Sequence, residues 1–271
     1  MPMVKKDSKS KSTETGEAVR SIPRANFTVE EQMDDDKQII TIFGGKGIGK
    51  TTMAMQFPDS IAAISLDRKT QRIAKQYPDR NIRTFDGRAY FIYDKDNFTK
   101  SSSNTLEYLH AILDKLDSNE DERPDWILLD AMEYMIMFCE GKMRHDNRIG
   151  PFEAFGKNPA LWRERNTNFR MWHDHALNVA RRGLIYTGYY AFESGENSVY
   201  KVPKWTDVVQ SETDIVIHCV AREDESEEGG MLHEASVISS KTPLFLKTGA
   251  KYDMHENNFK RDLEEYYKAK P

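Results

Sequence analysis

Apolar residues in this chain come in short dense runs, separated by polar stretches in which apolar positions recur at helical spacing. Residues 39–43 form a β-branched and aromatic run that stops at Gly44; further runs occupy 61–66, 126–130 and 184–187, with another short one at 89–93. Runs of this length bounded by turn-forming residues predict strands buried on both faces. Between them, Leu106, Leu109, Ile112, Leu113 and Leu116 share one face of a helix over 104–116, and a second helix is expected over 132–142. Asn158-Pro159 predicts a capped start for a long helix carrying Trp162, Phe169, Trp172, Ala176 and Val179, with Gly183 closing it. Residues 215–220 and 235–239 predict a hairpin across the acidic stretch 222–230, and Phe259, Leu263 and Tyr267 line a last helix over 256–270. Strands alternating with helices, then a terminal hairpin, predict one α/β domain over 37–271 with a mainly parallel central sheet. Residues 1–36 carry too few apolar positions to offset their ordering entropy and are expected to form a disordered polar N-terminal tail.

Composition narrows the function classes. The 271 residues hold 31% charged side chains and a net charge of −5, and no run approaches the length of about 18 apolar residues that a membrane span requires. With no apolar leader at its start, the chain is expected to be cytoplasmic, without a membrane partner. Its two cysteines, Cys139 and Cys219, are too few for a disulfide framework or a thiolate zinc site and are expected to be reduced and buried.

The first apolar run ends in Gly44-Gly45-Lys46-Gly47-Ile48-Gly49-Lys50-Thr51-Thr52, which fits G-x-x-x-x-G-K-[ST]. The spacing lets a buried strand turn sharply into a helix while consecutive backbone N–H groups point inward at a polyphosphate. The nine residues are therefore expected to cradle a nucleoside triphosphate, with Lys50 on the β- and γ-phosphates and the Thr51 hydroxyl on a Mg²⁺ ion. Trp126-Ile127-Leu128-Leu129-Asp130 is a buried strand closed by one carboxylate, the pattern that delivers a second Mg²⁺ ligand beside such a loop, so Asp130 joins Thr51 as a metal candidate.

Taken in order, residues 42–52, Gln56-Phe57-Pro58, Leu66-Asp67, residues 127–130 and residues 183–188 resemble the RecA-like P-loop ATPases, over roughly residues 36–249. Within that group the chain looks like the phage-type nucleotide-binding ATPases that include single-strand-annealing recombinase-like proteins. The resemblance implies a RecA-like core with an extra strand between those bearing the two motifs, ATP and Mg²⁺ as cofactors, ATPase activity and assembly into a homo-oligomer. It also implies a water-activating carboxylate after the second strand. Asp67 stands there, with Lys69 where a glutamate is usual, and Glu133, three residues beyond Asp130, is the other candidate. Thr187 corresponds to a γ-phosphate sensor. Lys241 corresponds to a lysine that reaches across a subunit boundary; Pro243 takes the place of its usual arginine companion, for which Arg222 is the substitute.

RecA-like proteins hold single-stranded DNA in two loops. The corresponding segments are 142–157, with Lys142, Arg144, His145, Arg148 and Lys157, and 189–204, with Tyr189, Tyr190, Phe192, Tyr200, Lys201 and Lys204. Aromatics interleaved with cations suit single strands, which stack bases at about 1–3 kcal/mol each and pair their phosphates. His173 and His175 lie two apart on a predicted helix and cannot face one ion, so no zinc site is expected. These features lead to a Mg²⁺-dependent ATPase acting on single-stranded DNA in recombination or replication. The alternative is a nucleotide-gated assembly or loader module with little turnover and a protein partner.

Overall fold

In the computed structural model, described for residues 37–154, 156, 158–192, 201–203, 207–223, 231–241, 246–254 and 258–269, β1 (Gln38–Gly44) runs through the middle of an eight-stranded sheet. The others are β2 (Ile61–Ser65), β3 (Ile82–Asp86), β4 (Trp126–Asp130), β5 (Gly183–Gly188), β8 (Ile215–Glu223), β9 (Met231–Ser240) and β10 (Lys251–Asp253). The spatial order is β10-β9-β8-β1-β5-β4-β2-β3. From β8 to β3 every neighbouring pair is parallel, whereas β8 with β9 and β9 with β10 are antiparallel. The fold is thus a mixed α/β core with a mostly parallel sheet and a C-terminal antiparallel hairpin, consistent with the RecA-like core expected. β6 (Tyr190–Phe192) and β7 (Lys201–Pro203) pair separately as a two-stranded ribbon.

Helices cover both faces, which is why the central strands read as continuous apolar runs. On one side Ile39, Ile64, Leu129 and Leu184 pack under α3 (Phe98–Asp117), α4 (Glu133–Asp146) and α5 (Pro159–Val179). On the other, Ile40, Ile42, Trp126 and Ile217 pack against α1 (Lys50–Ala54) and α7 (Asn258–Ala269). Adjacent residues of one strand enter opposite cores, as the period of two requires. α2 (Thr70–Ala74) follows β2, and α6 (Asp207–Glu212) precedes β8. Cys139 and Cys219 are both buried and free. Among the described residues no helix is long and apolar enough to cross a membrane.

Four local expectations change. Residues 89–93 form a turn and coil rather than a strand: only Phe91 is buried, packed on the rings of Phe98 and Phe138, while Tyr90, Ile92 and Tyr93 are exposed. The missing strand is β3, an edge strand whose half-exposed sequence Ile-Arg-Thr-Phe-Asp lacks a dense apolar run. α5 ends at Val179, and Gly183 opens β5 instead of closing the helix. A Cβ there would lie 1.9 Å from the Gln38 carbonyl oxygen, so only glycine lets β5 come this close to β1. α4 runs on to Asp146, placing Lys142, Arg144 and His145 on a helix and not in a loop. The cap is as expected: Asn158 Oδ1 accepts the Ala160 amide at 3.0 Å. The expected tail over 1–36 lies outside the described residues.

Two histidine contacts tie α5 to its neighbours. His173 is fully buried, with Nδ1 2.7 Å from the Tyr186 hydroxyl and Nε2 2.9 Å from Glu212, whose other oxygen pairs with Arg170 at 3.2 Å. His175 turns elsewhere, its Nδ1 3.1 Å from Nδ1 of His110 and its Nε2 3.6 Å from Asp114. The His110 and His175 ring centroids are 5.4 Å apart with planes only 22° from parallel, so the two nitrogens meet head-on. That suits one shared proton better than two lone pairs converging on a metal. Burial lowers the pKa of His173 and, with the neighbouring His175, that of His110. Both rings take up a proton less readily in the fold than in the unfolded chain. The stability they contribute is therefore complete above about pH 6.5 and is lost as pH falls from there towards the lowered folded values. Thermal melts are expected to show a midpoint that drops on acidification below about pH 6.5, with a shallower drop in His173→Gln. An unchanged slope in that variant would show that His173 does not titrate with folding.

Candidate nucleotide site

Parallel strands deliver their carboxyl ends to one rim, and α/β sheets bind ligands there. Register places Ser65 beside Asp130 and Ile42 beside Thr187, so the last residues of β2, β4, β5 and β1 share one level of the sheet. The glycine-rich loop leaves β1 directly above that level. Gly47 and Gly49 adopt φ of 80° and 90°, the left-handed region that glycine enters without a Cβ penalty, and α1 starts at Lys50. The turn brings Thr51 over β4, although β5 separates β4 from β1. Thr51 Oγ1 lies 2.9 Å and 3.2 Å from the two carboxylate oxygens of Asp130.

Asp130 is 2% exposed, and its bonds come from hydroxyls: Thr51, Thr70 at 2.6 Å, and Thr187 in a short contact. Thr187 Oγ1 also accepts the Ala131 amide at 2.9 Å, fixing its hydroxyl towards the carboxylate. No ammonium or guanidinium bonds to Asp130 among the described residues. Burial accordingly pushes its pKa up, against the opposing effect of the threonine hydroxyls. A buried, hydroxyl-lined carboxylate without a cationic partner is an all-oxygen donor set, the kind that hard divalent cations take. The residues present therefore fit a Mg²⁺ ion.

Lys50 is turned back on its own loop. Its Nζ donates to the carbonyls of Gly45 at 2.6 Å and Gly44 at 3.2 Å, and it sits 4.5 Å from the centre of the Tyr189 ring. Desolvation lowers its pKa, partly countered by nearby acidic groups. The cavity beside it, about 170 Å³, is lined by Lys46, Gly47, Gly49, Lys50, Thr51 and Thr52, with Asp67, Asp130, Thr187 and Tyr189 across from them. Ile48 points away and packs on the core beneath.

Both candidate water-activating carboxylates are near this cavity, and both are engaged. Asp67 Oδ1 accepts the Lys69 amide at 2.9 Å. Glu133 Oε1 accepts the Tyr189 amide in a short contact. Lys241 follows the end of β9 that pairs with Ile215, the far end of the sheet from this cavity, and its Nζ donates to the Ser211 carbonyl at 3.1 Å. Arg222 lies towards the cavity end of β8, exposed and paired with Glu234 at 3.2 Å.

Of the two DNA segments, the first is less cationic than its sequence suggests. Lys142 pairs with Asp146 at 2.9 Å, and Arg144 is buried, bonding Glu140 and the carbonyls of Gly150 and Glu153 at 2.9 Å each. His145 and Arg148 are exposed; Lys157 lies outside the described residues. In the second, Tyr189 sits on Lys50 and the ribbon β6–β7 follows, while residues 193–200 and 204–206 lie outside the described residues. Elsewhere, His173, Asp174 and Glu212 place potential ligand atoms within 4.8 Å of one another and could coordinate a metal, in competition with Arg170 for Glu212.

Sequence reasoning missed Thr70 and the second role of Tyr189. Thr70 stands three residues beyond Asp67 at the start of α2, a helix too short to announce itself, and only the fold turns its hydroxyl onto Asp130.

No protein-family model matches the chain, and no curated relative matches it. Solved structures that resemble it include the RadB recombinase, at 12% identity and a TM-score of 0.40 over 79% of this chain and 84% of that one. A DnaB-like replicative helicase aligns at 11% identity and TM-score 0.41, over 76% of this chain and 54% of its own. The ATPase DotB of Legionella pneumophila aligns at 12% identity and TM-score 0.30, over 78% and 48%. The chain thus spans about half the length of the helicase and of DotB. These are distant, partial likenesses to P-loop ATPase folds and carry nothing finer than that.

Proposed function

We propose that the chain is a Mg²⁺-dependent ATPase that acts on single-stranded DNA. The contact between Thr51 and Asp130 carries the nucleotide half of this role, because it joins the loop motif of β1 to the carboxylate of β4 across an intervening strand. The amides of residues 44–52 would cradle the phosphates. Lys50 would leave the Gly44 and Gly45 carbonyls to bond the β- and γ-phosphates, exchanging neutral acceptors for charged ones. Thr51 and Asp130 would hold Mg²⁺, which when bound would offset charge on the phosphate oxygens. Thr187, already oriented by the Ala131 amide, would sense the γ-phosphate side through Asp130. Asp67 or Glu133 would orient the attacking water once freed from the Lys69 or Tyr189 amide. The aromatic and lysine-rich segment 189–204, which leaves β5 directly beside Lys50, supports the DNA half. A homo-oligomer would give Lys241 a neighbouring subunit's site to act on.

Turnover is expected to require Mg²⁺, to be slow alone, and to rise about tenfold with oligo-dT, the stimulation fading as salt displaces phosphate contacts. Phosphate release measured with oligo-dT, with duplex DNA and without either tests this. Stimulation by neither nucleic acid would remove DNA from the proposal.

The engagement of both carboxylates supports a second role, a nucleotide-gated assembly or loader module with little turnover and a protein partner. Nucleotide-dependent oligomers without phosphate release would favour it.

A further inference from the structure

Beside the nucleotide site, on the far side of Glu133, lies a groove of about 410 Å³ between the start of α3, the face of α4 and the loop after it. Its floor and lip are apolar: Tyr93, Phe98, Ile136, Met137, Pro151 and Phe152. Tyr93 and Phe152 are 77% and 79% exposed, and the apolar surface continues past the groove onto Tyr90 and Ile92. An exposed apolar patch rimmed by polar groups marks an interaction surface more often than a chance exposure. Among the described residues, the charged groups in the rim are Asp94, Glu133 and Glu140 against the ammonium of Lys95. Glu140 is shared with Arg144, while Asp94 is held as an anion by the Asn97 side-chain and backbone N–H groups.

We propose that this groove docks a peptide segment of a partner protein, one with an aromatic or branched apolar side chain flanked by lysine or arginine. The apolar floor takes the side chain, and the acidic rim takes the cations. The same rim disfavours a nucleic-acid strand, whose phosphates would face three carboxylates. The spread of apolar surface beyond the cavity suits an extended chain rather than a small molecule. Methionine and exposed aromatic rings adapt to such a chain at little cost. Glu133 connects the groove to the candidate nucleotide site through Tyr189, whose amide it accepts and whose ring lies against Lys50. The docking surface stands apart from the ATPase proposal; only its influence on turnover rests on that proposal.

Selection of a random short-peptide library on the immobilised full chain tests the inference. The expected result is a consensus of aromatic or leucine next to lysine or arginine, with selected peptides binding at least tenfold more weakly to Phe152→Glu and Met137→Glu. Phe152 is so exposed that its substitution leaves the fold intact, and the melting curve of each variant checks this. No consensus, an acidic consensus, or equal binding to the variants would overturn it. So would displacement of the peptides by oligo-dT, or a concentration-dependent self-association that Phe152→Glu abolishes; these would assign the groove to nucleic acid or to a second copy. Nucleotide turnover in Phe152→Glu, measured without DNA, is expected to match the parent, so a failure here leaves the ATPase proposal untouched.

Discussion

If the proposed role holds, replacing Lys50 with alanine is expected to weaken ATP binding and to cut turnover by about a hundredfold or more, the scale of removing one charged donor from developing phosphate charge (about 3 kcal/mol). In the proposed role the lysine would give up two carbonyl acceptors and an aromatic face to reach the phosphates. Alanine leaves Gly44 and Gly45 without that donor but makes no buried cavity of note, since Lys50 is only part-buried. The fold should therefore persist, with a melting midpoint near that of the parent. Fluorescent-nucleotide titration and phosphate release on the same preparation measure both effects. Turnover retained by the pure variant would exclude the glycine-rich loop from the chemistry.

Asp130→Asn should pull function and stability in opposite directions. Burial raises the pKa of the parent's carboxylate, whose hydrogen-bond donors are hydroxyls and not cations. For such a group the folded state binds the proton more tightly than the unfolded chain does. Its contribution to stability is thus most favourable at low pH and is lost as pH rises through the folded pKa. Asparagine is isosteric and neutral at every pH. The variant should melt higher than the parent near neutrality, by about 2–4 °C for each kcal/mol relieved, and the gain should shrink as pH falls below the folded pKa of Asp130 and vanish below the unfolded carboxylate value of about 3.9. Mg²⁺-dependent turnover should fall by about a hundredfold, since the proposed Mg²⁺ site would lose its carboxylate. A variant that melts lower at neutral pH would show that the three threonines stabilise the anion more than burial penalises it.

Legibility differed sharply between elements. The strands at 39–43, 61–66, 126–130 and 184–187 were readable because both faces of a parallel sheet are covered, which writes burial into consecutive residues. β3 was not, because an edge strand with one solvated side carries half the signal and its Arg83 and Thr84 read as loop. The 89–93 run misled for the converse reason: five apolar residues suggest a buried strand, but only Phe91 is buried, through aromatic packing on Phe98 and Phe138. Gly183 read as a helix stop, since a sequence does not show which strand passes within contact distance of a glycine.

Thr51 and Asp130 were recognisable because local chemistry demands both: a turn needs glycines, and a buried strand reveals the polar residue that ends it. What local sequence does not encode is the company these residues keep. Strand order and register decide that Thr70, Thr187 and Thr51 all turn their hydroxyls onto one carboxylate, that Lys50 rests under Tyr189, and that Arg144 serves α4 and its following loop instead of a ligand. The loop from Gly44 to Thr52 was determined by the sequence itself, because conformational demands on consecutive residues leave their mark in those residues. The ring of threonines around Asp130 was decided only by the tertiary structure, because those contacts join positions up to 79 residues apart that nothing but the sheet brings together.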